Sequence, residues 1–253
     1  MRLLYSEYKS DYPHYIFPYV IWAFPETGER PADFFARGFL PSRRELDRFY
    51  MCRHTRVELA RFAPSSENRR ILRKGEGLSC HLYTSEQFEY TDQWRTFCKA
   101  YADAKFGQDV MSYARLDSLF TAPVCSHVLV YSDEAAVDVG LVVFYLDQPD
   151  VAFYYYAFYD VNHVNKSLGM TMMTSSVALM KEKGFHYIYL GSCYSRTALY
   201  KSQFSGFQFW NGFRWSENIK ELKYLIERDR GEVDKHLLET PDFIENFYPV
   251  GWT

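Results

Sequence analysis

The chain has 253 residues, 47% hydrophobic and 24% charged, which fits a folded protein with a sizeable core and excludes a disordered or fibrous polypeptide. A net charge of −3 speaks against nucleic-acid binding by the surface as a whole. Five scattered cysteines (Cys52, Cys80, Cys98, Cys125 and Cys193) without a C-x-x-C pair argue against a disulfide framework or a zinc knuckle, and no stretch approaches the ~18 apolar residues of a membrane span. A reduced, cytoplasmic protein with no membrane partner and no bound metal is expected.

In chain order, residues 1–30 are rich in aromatics and proline and show no period. PADFFARGF, from residue 31, reads as a short helix or turn, followed by a basic loop. Between Arg37 and Lys74 lie eleven basic residues and four acids, so this segment is +7 and the remainder is −10. Such asymmetry suggests a local site for a polyanion, or else a solvated basic face. SSENRRILRKGEG (65–77) predicts a helical turn around Glu67–Arg73. The segment 85–107 reads as a helix capped by Ser85 and closed by Gly107, with Phe88, Trp94, Phe97, Cys98, Tyr101 and Ala104 at helical spacing.

After Pro123 the pattern changes to strands. HVLVYSD (127–133), DVGLVVFYL (138–146) and VAFYYYAFY (151–159) are β-branched and aromatic runs separated by turn residues. Alternation along the last of these places Tyr154 and Tyr156 on one face and Tyr155 on the other. A polar loop, DVNHVNK, leads into a helix that Gly184 ends. A strand (186–191), a short helix (195–206), a hairpin turning at Asn211-Gly212 (207–215) and a charged helix (217–238) complete the chain.

The order strand, strand, strand, helix, strand, helix, hairpin from 127 onward resembles the catalytic core of the GNAT acyltransferase superfamily. A closer resemblance is to the arginyl-tRNA–protein transferases and their bacterial leucyl-transferring relatives. FAPSSENRR (62–70) resembles their F-x-P-S-x-x-Q-R-R signature, AFYDVNHVNKSLGM (157–170) their F-Y-D-P…S-L-G stretch, HYIYLG (186–191) their Y-x-Y-L-G strand and LYKSQF (199–204) their Y-K-x-x-F. FFARGF (34–39) fits in outline, and the likeness covers roughly residues 34–215. It departs at Val161, where a proline is usual, and in YPHYIFPYVIWAF, which lacks the cysteine pair these transferases link with an iron–sulfur cluster.

The resemblance implies an α+β fold with a GNAT-like core, a mixed and mainly antiparallel sheet flanked by helices, behind an N-terminal α/β extension. It divides the chain into an N-terminal region (1–125) carrying the basic segment, a catalytic core (126–215) and a C-terminal helix and tail (216–253). It implies an aminoacyltransferase that uses aminoacyl-tRNA as co-substrate; the ester is already activated, so no cofactor is expected, and the missing cysteine pair argues against an iron–sulfur cluster. The other partner is an amine acceptor: a protein N-terminus, a peptide or a small molecule.

Such an enzyme joins an amine to an activated ester, so it needs a proton donor for the leaving ribose hydroxyl and donors for an oxyanion. Tyr200, the tyrosine of Y-K-x-x-F, is the expected proton donor, against a reading as one of 22 tyrosines in a ring-rich core. Asp160 orients the donor's α-amino group or takes a proton from the acceptor, against a reading as a turn-capping aspartate. Ser167, Leu168 and Gly169 shape a phosphate-facing helix start, with Ser167 as the N-cap. Arg69 and Arg70 suit phosphates of the tRNA acceptor end. Lys201 suits a further phosphate, Asn165 is a polar contact in the loop, and Tyr156 stacks on the terminal adenine or lines the amino-acid pocket. Two alternatives stay open. One is an acyl-CoA-dependent N-acyltransferase, although N-K-S-L-G-M keeps only one glycine of the Q/R-x-x-G-x-G/A motif. The other is a non-catalytic relative that binds tRNA or protein.

Overall fold

The computed structural model describes residues 1–164 and 167–250. The segment without a period holds two strands, β1 (Arg2–Glu7) and β2 (Tyr19–Phe24), paired antiparallel. A short helix, α1 (Pro31–Ala36), follows as expected, and β3 (Phe39–Pro41) and β4 (Phe49–Met51) complete a four-stranded sheet in the order β1-β2-β4-β3. Gly38 joins α1 to β3 at φ +87°, and a Cβ there would lie 2.2 Å from the Trp210 indole, so glycine alone fits.

The second sheet has eight strands: β5 (His54–Glu58), β6 (Ser79–Thr84), β7 (His127–Ser132), β8 (Asp138–Asp147), β9 (Val151–Tyr159), β10 (Tyr187–Ser192), β11 (Phe207–Trp210) and β12 (Trp215–Ser216). They run in the order β12-β11-β5-β10-β9-β8-β7-β6. Among the described residues only β9 and β10 pair in parallel; the other pairings of this sheet are antiparallel. The fold is therefore α+β with a mixed, mainly antiparallel sheet, as the sequence implies.

The helices are α2 (Ser66–Lys74), α3 (Asp92–Phe106), α4 (Tyr113–Thr121), α5 (Leu168–Glu182), α6 (Ile219–Arg228) and α7 (Pro241–Phe247). Both faces of the large sheet are covered, which is why β7 and β8 read as nearly unbroken apolar runs. Val128, Val130, Leu141 and Val143 point to a core shared with α1, α3 and α4. Leu129, Tyr131, Val142 and Phe144 point to a second core under α5. Tyr131, 2% exposed, places its hydroxyl against the Met172 carbonyl (3.0 Å) and Ser175 Oγ (2.9 Å), which satisfies the polar end of a buried ring. Among the described residues no helix is long and apolar enough to cross a membrane.

Several sequence expectations are corrected. The helix expected from Ser85 starts at Asp92 with Thr91 as its cap, because Ser79–Thr84 pairs with β7 and the chain must first turn off the sheet. Helix α4 is absent from the sequence reading. The segment after Ser195 is a 3₁₀ helix (Arg196–Gln203), and the charged helix at 217–238 stops at Arg228. Two strands that precede residue 125 belong to the large sheet: β5 lies between β10 and β11, and β6 forms an edge.

Candidate active site

Beyond two residue pairs the parallel strands separate. Ile188 lies opposite Ala152 and Tyr189 opposite Phe153, and no further β9–β10 pair is recorded. On its other side β9 stays paired with β8 as far as Tyr159 opposite Gly140. Among the described residues, one edge of β9 from Tyr154 onward thus has no strand partner, and it borders the cleft. A β-bulge widens the opening: Val143 faces Tyr156 and Phe144 faces Tyr154, so Tyr155 is an extra residue. The bulge also breaks alternation. Tyr154 joins the core under α5, while Tyr155 and Tyr156 both pack on the other side, so Tyr154 and Tyr156 do not share a face as alternation suggests.

The resulting cleft, about 570 Å³, sits at the carboxyl ends of β9 and β10. Five residues singled out in the sequence line it: Tyr156, Ser167, Gly169, Tyr200 and Lys201. Tyr101 and Phe106 of α3, Tyr159 at the end of β9, and Met170 and Met173 of α5 complete much of the wall. Tyr159 in particular escapes the sequence reading, although it is the last ring of a conspicuous aromatic strand. Its ring packs against that of Tyr101 at 4.7 Å between centroids, tilted by 59°.

Gly169 is explained by that ring. A Cβ on Gly169 would lie 2.7–2.8 Å from the Tyr159 phenol, so the absence of a side chain lets Tyr159 cross the first turn of α5. Ser167 holds the N-cap position, but its hydroxyl does not cap the helix; it accepts a hydrogen bond from Lys74 Nζ at 3.1 Å. Helix geometry leaves the first-turn amides of α5 without intrahelical acceptors, at the positive end of the helix dipole. Leu168 is 2% exposed and anchors that turn in the core instead of lining the cleft.

Tyr200 is 44% exposed at the cleft mouth. Desolvation, and then Tyr159 and Cys193, raise its phenol pKa above the ordinary value, so it carries its proton throughout the neutral range. Lys201 Nζ donates to the Ser192 carbonyl at 2.8 Å, and burial pulls its pKa below the usual lysine value, opposed by Cys193. A hydroxyl that stays protonated and an ammonium biased towards losing its proton thus stand side by side on one 3₁₀ helix.

Asp160, Arg69 and Arg70 lie outside the cleft wall. Asp160 follows β9, and its carboxylate accepts from the Asn162 amide at 2.8 Å, a local turn contact. Arg69 donates to the Pro64 carbonyl at 2.6 Å, and Arg70 makes a two-pronged contact with Glu67 at 2.6 and 2.7 Å, both on α2. Asn165 lies outside the described residues. The basic segment does not form one patch. Arg53 pairs with Asp229, Arg61 with Glu217, and Arg56 is buried against the rings of Tyr187 and Trp215. Sequence proximity misleads here because residues 37–74 are divided among two sheets and a helix.

No family model matches the chain. It is 28% identical over 204 residues to the aspartate/glutamate leucyltransferase of Ruegeria pomeroyi, an alignment covering 77% of this chain and 70% of that protein. It is 29% identical over 182 residues to the aspartate/glutamate leucyltransferase of Dinoroseobacter shibae, covering 65% of this chain and 62% of the relative. Among solved structures, that of L-PGS from Bacillus licheniformis aligns with a TM-score of 0.44 and 13% identity over 56% of this chain and 46% of the other. The chain is similar to the bacterial leucyl-transferring proteins that its ordered motifs resemble, and it spans 62–70% of the length of these two relatives.

Proposed function

We propose that the protein is an aminoacyltransferase that moves a leucyl group from leucyl-tRNA to the α-amine of an acceptor whose first residue is aspartate or glutamate. The leucyl group and the acidic acceptor are taken from the relatives' name. The observation that carries the reaction class is the cleft between the separating ends of β9 and β10, where Tyr200 and Lys201 meet an unpartnered strand edge.

The reaction needs three things there. The incoming ammonium must lose a proton, the ester carbonyl must have its developing charge held, and the ribose oxygen must gain a proton. Nitrogen then bonds to the carbonyl carbon as the carbon–oxygen bond to the ribose breaks. Tyr200 donates to the leaving oxygen, since its raised pKa keeps the proton available. Lys201, biased towards the neutral amine, is suited to pass on the proton that the acceptor loses. Main-chain amides at the open β9 edge and the first turn of α5 supply donors for the oxyanion and for the donor's phosphate. Tyr101, Tyr156 and Tyr159 offer ring faces for the terminal adenine. Arg69 and Arg70 on α2, which packs beside α5, extend the contact to the acceptor stem. Asp160 shapes the turn that leaves β9.

The test is transfer of labelled leucine from leucyl-tRNA to peptides beginning with Asp or Glu, run beside the same peptides with acetyl-CoA. Leucyl transfer is expected. Acetyl transfer alone would replace this reading with the acyl-CoA alternative.

A further inference from the structure

A second cavity of about 380 Å³ adjoins the cleft, and the two share Tyr155 and Tyr156 as a common wall. Its rim is cationic. Arg43 and Arg44, from the loop between β3 and β4, face Arg115 on α4, with Glu45 as the one carboxylate of the lining. Its floor is apolar, formed by Met111 and Leu119 at 3% and 1% exposure.

The three guanidinium groups are not equivalent. Arg43 is paired with Asp47 at 3.0 Å. Arg44 donates only to the main-chain carbonyl of Arg115, at 3.2 Å. Among the described residues neither Arg44 nor Arg115 has a carboxylate partner, unlike Arg53, Arg61, Arg70 and Arg95 elsewhere in the molecule. Both act on the wall: burial raises the Tyr155 phenol to about 12, while Arg44 and Arg115 pull it down. Two guanidinium forks with no carboxylate partner among the described residues, set over an apolar floor, suit a small planar anion.

We propose that this cavity receives the side-chain carboxylate of the acceptor's first residue, with Arg44 and Arg115 as the residues that set the preference for an acidic acceptor. The proposal rests on the aminoacyl-transfer reading of the neighbouring cleft. An acceptor's α-amine and its own carboxylate are separated by only two or three carbons. An amine placed against the open edge of β9 therefore sets its side chain at the Tyr155–Tyr156 wall. A nucleic-acid backbone fits less well, because it needs a continuing track of cations. The next arginines along the chain are engaged elsewhere: Arg48 with Ser42 and the Trp22 ring, Arg53 with Asp229, and Arg56 with the Tyr187 and Trp215 rings.

The experiment compares peptides identical except for Asp or Asn at the first position, with wild-type protein and with the variants Arg44→Gln, Arg115→Gln and Arg44→Lys. Two readouts are taken: leucyl transfer from leucyl-tRNA, and direct peptide binding by calorimetry without tRNA. Thermal melts identify any variant that fails to fold, and the conservative Arg44→Lys then carries the test. Wild type is expected to favour the Asp peptide in both readouts. Each glutamine variant is expected to shrink that preference about tenfold or more, the loss that goes with a charged hydrogen bond, and lysine to restore part of it. If wild type binds the two peptides equally, or the variants keep the wild-type preference, the proposal is overturned. A variant that keeps the preference but weakens tRNA binding and its salt dependence also overturns it, and makes the cavity a phosphate site. If no leucine is transferred yet Asp-selective binding is lost in the variants, the cavity assignment stands and the transferase reading fails.

Discussion

His54 is fully buried, and among the described residues neither of its ring nitrogens has a hydrogen-bond partner. It stacks on Tyr189 at 5.6 Å and meets the edge of Trp215 at 4.8 Å, beside Arg56 on the same strand. Burial, and secondarily Arg56, lower its pKa from 6.5 to about 3. The unfolded chain therefore binds the proton first, and stability falls with pH from about 6.5 downward until the loss levels off near 3. With these two values, His54 costs about 2 kcal/mol on going from pH 7 to pH 5, at 1.36 kcal/mol per pH unit. The perturbation is His54→Phe, which keeps a flat ring between Tyr189 and Trp215 but cannot titrate. Urea unfolding of both proteins at pH 7 and pH 5 measures it. Wild type should lose about 2 kcal/mol more than the variant between the two conditions. Equal losses in the two proteins would refute the reasoning, because the buried, unpartnered imidazole would then not be the group that takes the proton.

Three further outcomes follow from the cleft. Tyr200→Phe should lower kcat for leucyl transfer by about 10²–10⁴ while KM for the acceptor stays near its wild-type value; an unchanged kcat would remove Tyr200 as proton donor. Gly169→Ala should destabilise the protein by about 1–3 kcal/mol in denaturant unfolding, and adding Tyr159→Ala should recover most of that, since the clash is between those two residues. Changing Arg69 and Arg70 together to alanine should weaken leucyl-tRNA binding and flatten its salt dependence; unaltered binding in filter assays across a salt series would place the RNA contact elsewhere.

Legibility from the sequence tracked how local the physical cause was. The strands at 127–159, helix α5 and strand β10 are long apolar or strongly patterned runs, and they form where the pattern puts them. Strands β3 and β4 have three residues each, too short for a pattern, and exist because they pair with each other and β4 pairs with β2. The cleft was half legible. Tyr200, Lys201, Ser167 and Gly169 stand in short ordered motifs, whereas the role of Gly169 depends on Tyr159, ten residues earlier. Alternation misplaced Tyr156 because a bulge inserts one residue without any local sign in a run of three tyrosines. Arg44 and Arg115 meet from positions 71 apart, which no local pattern records.

The place of β5 in the large sheet has a consequence for how the protein is made. Both of its neighbours, β10 and β11, are encoded far downstream, β11 beginning roughly 150 residues after β5 ends. At a synthesis rate of about 5–20 residues per second, β5 leaves the ribosome roughly 8–30 s before β11 does. Over that interval a strand that is almost wholly buried in the finished protein has two bare edges. β5 cannot settle in advance of its C-terminal neighbours, and the nascent chain has to be kept from pairing there with itself or its neighbours until β11, in the last fifth of the chain, is made.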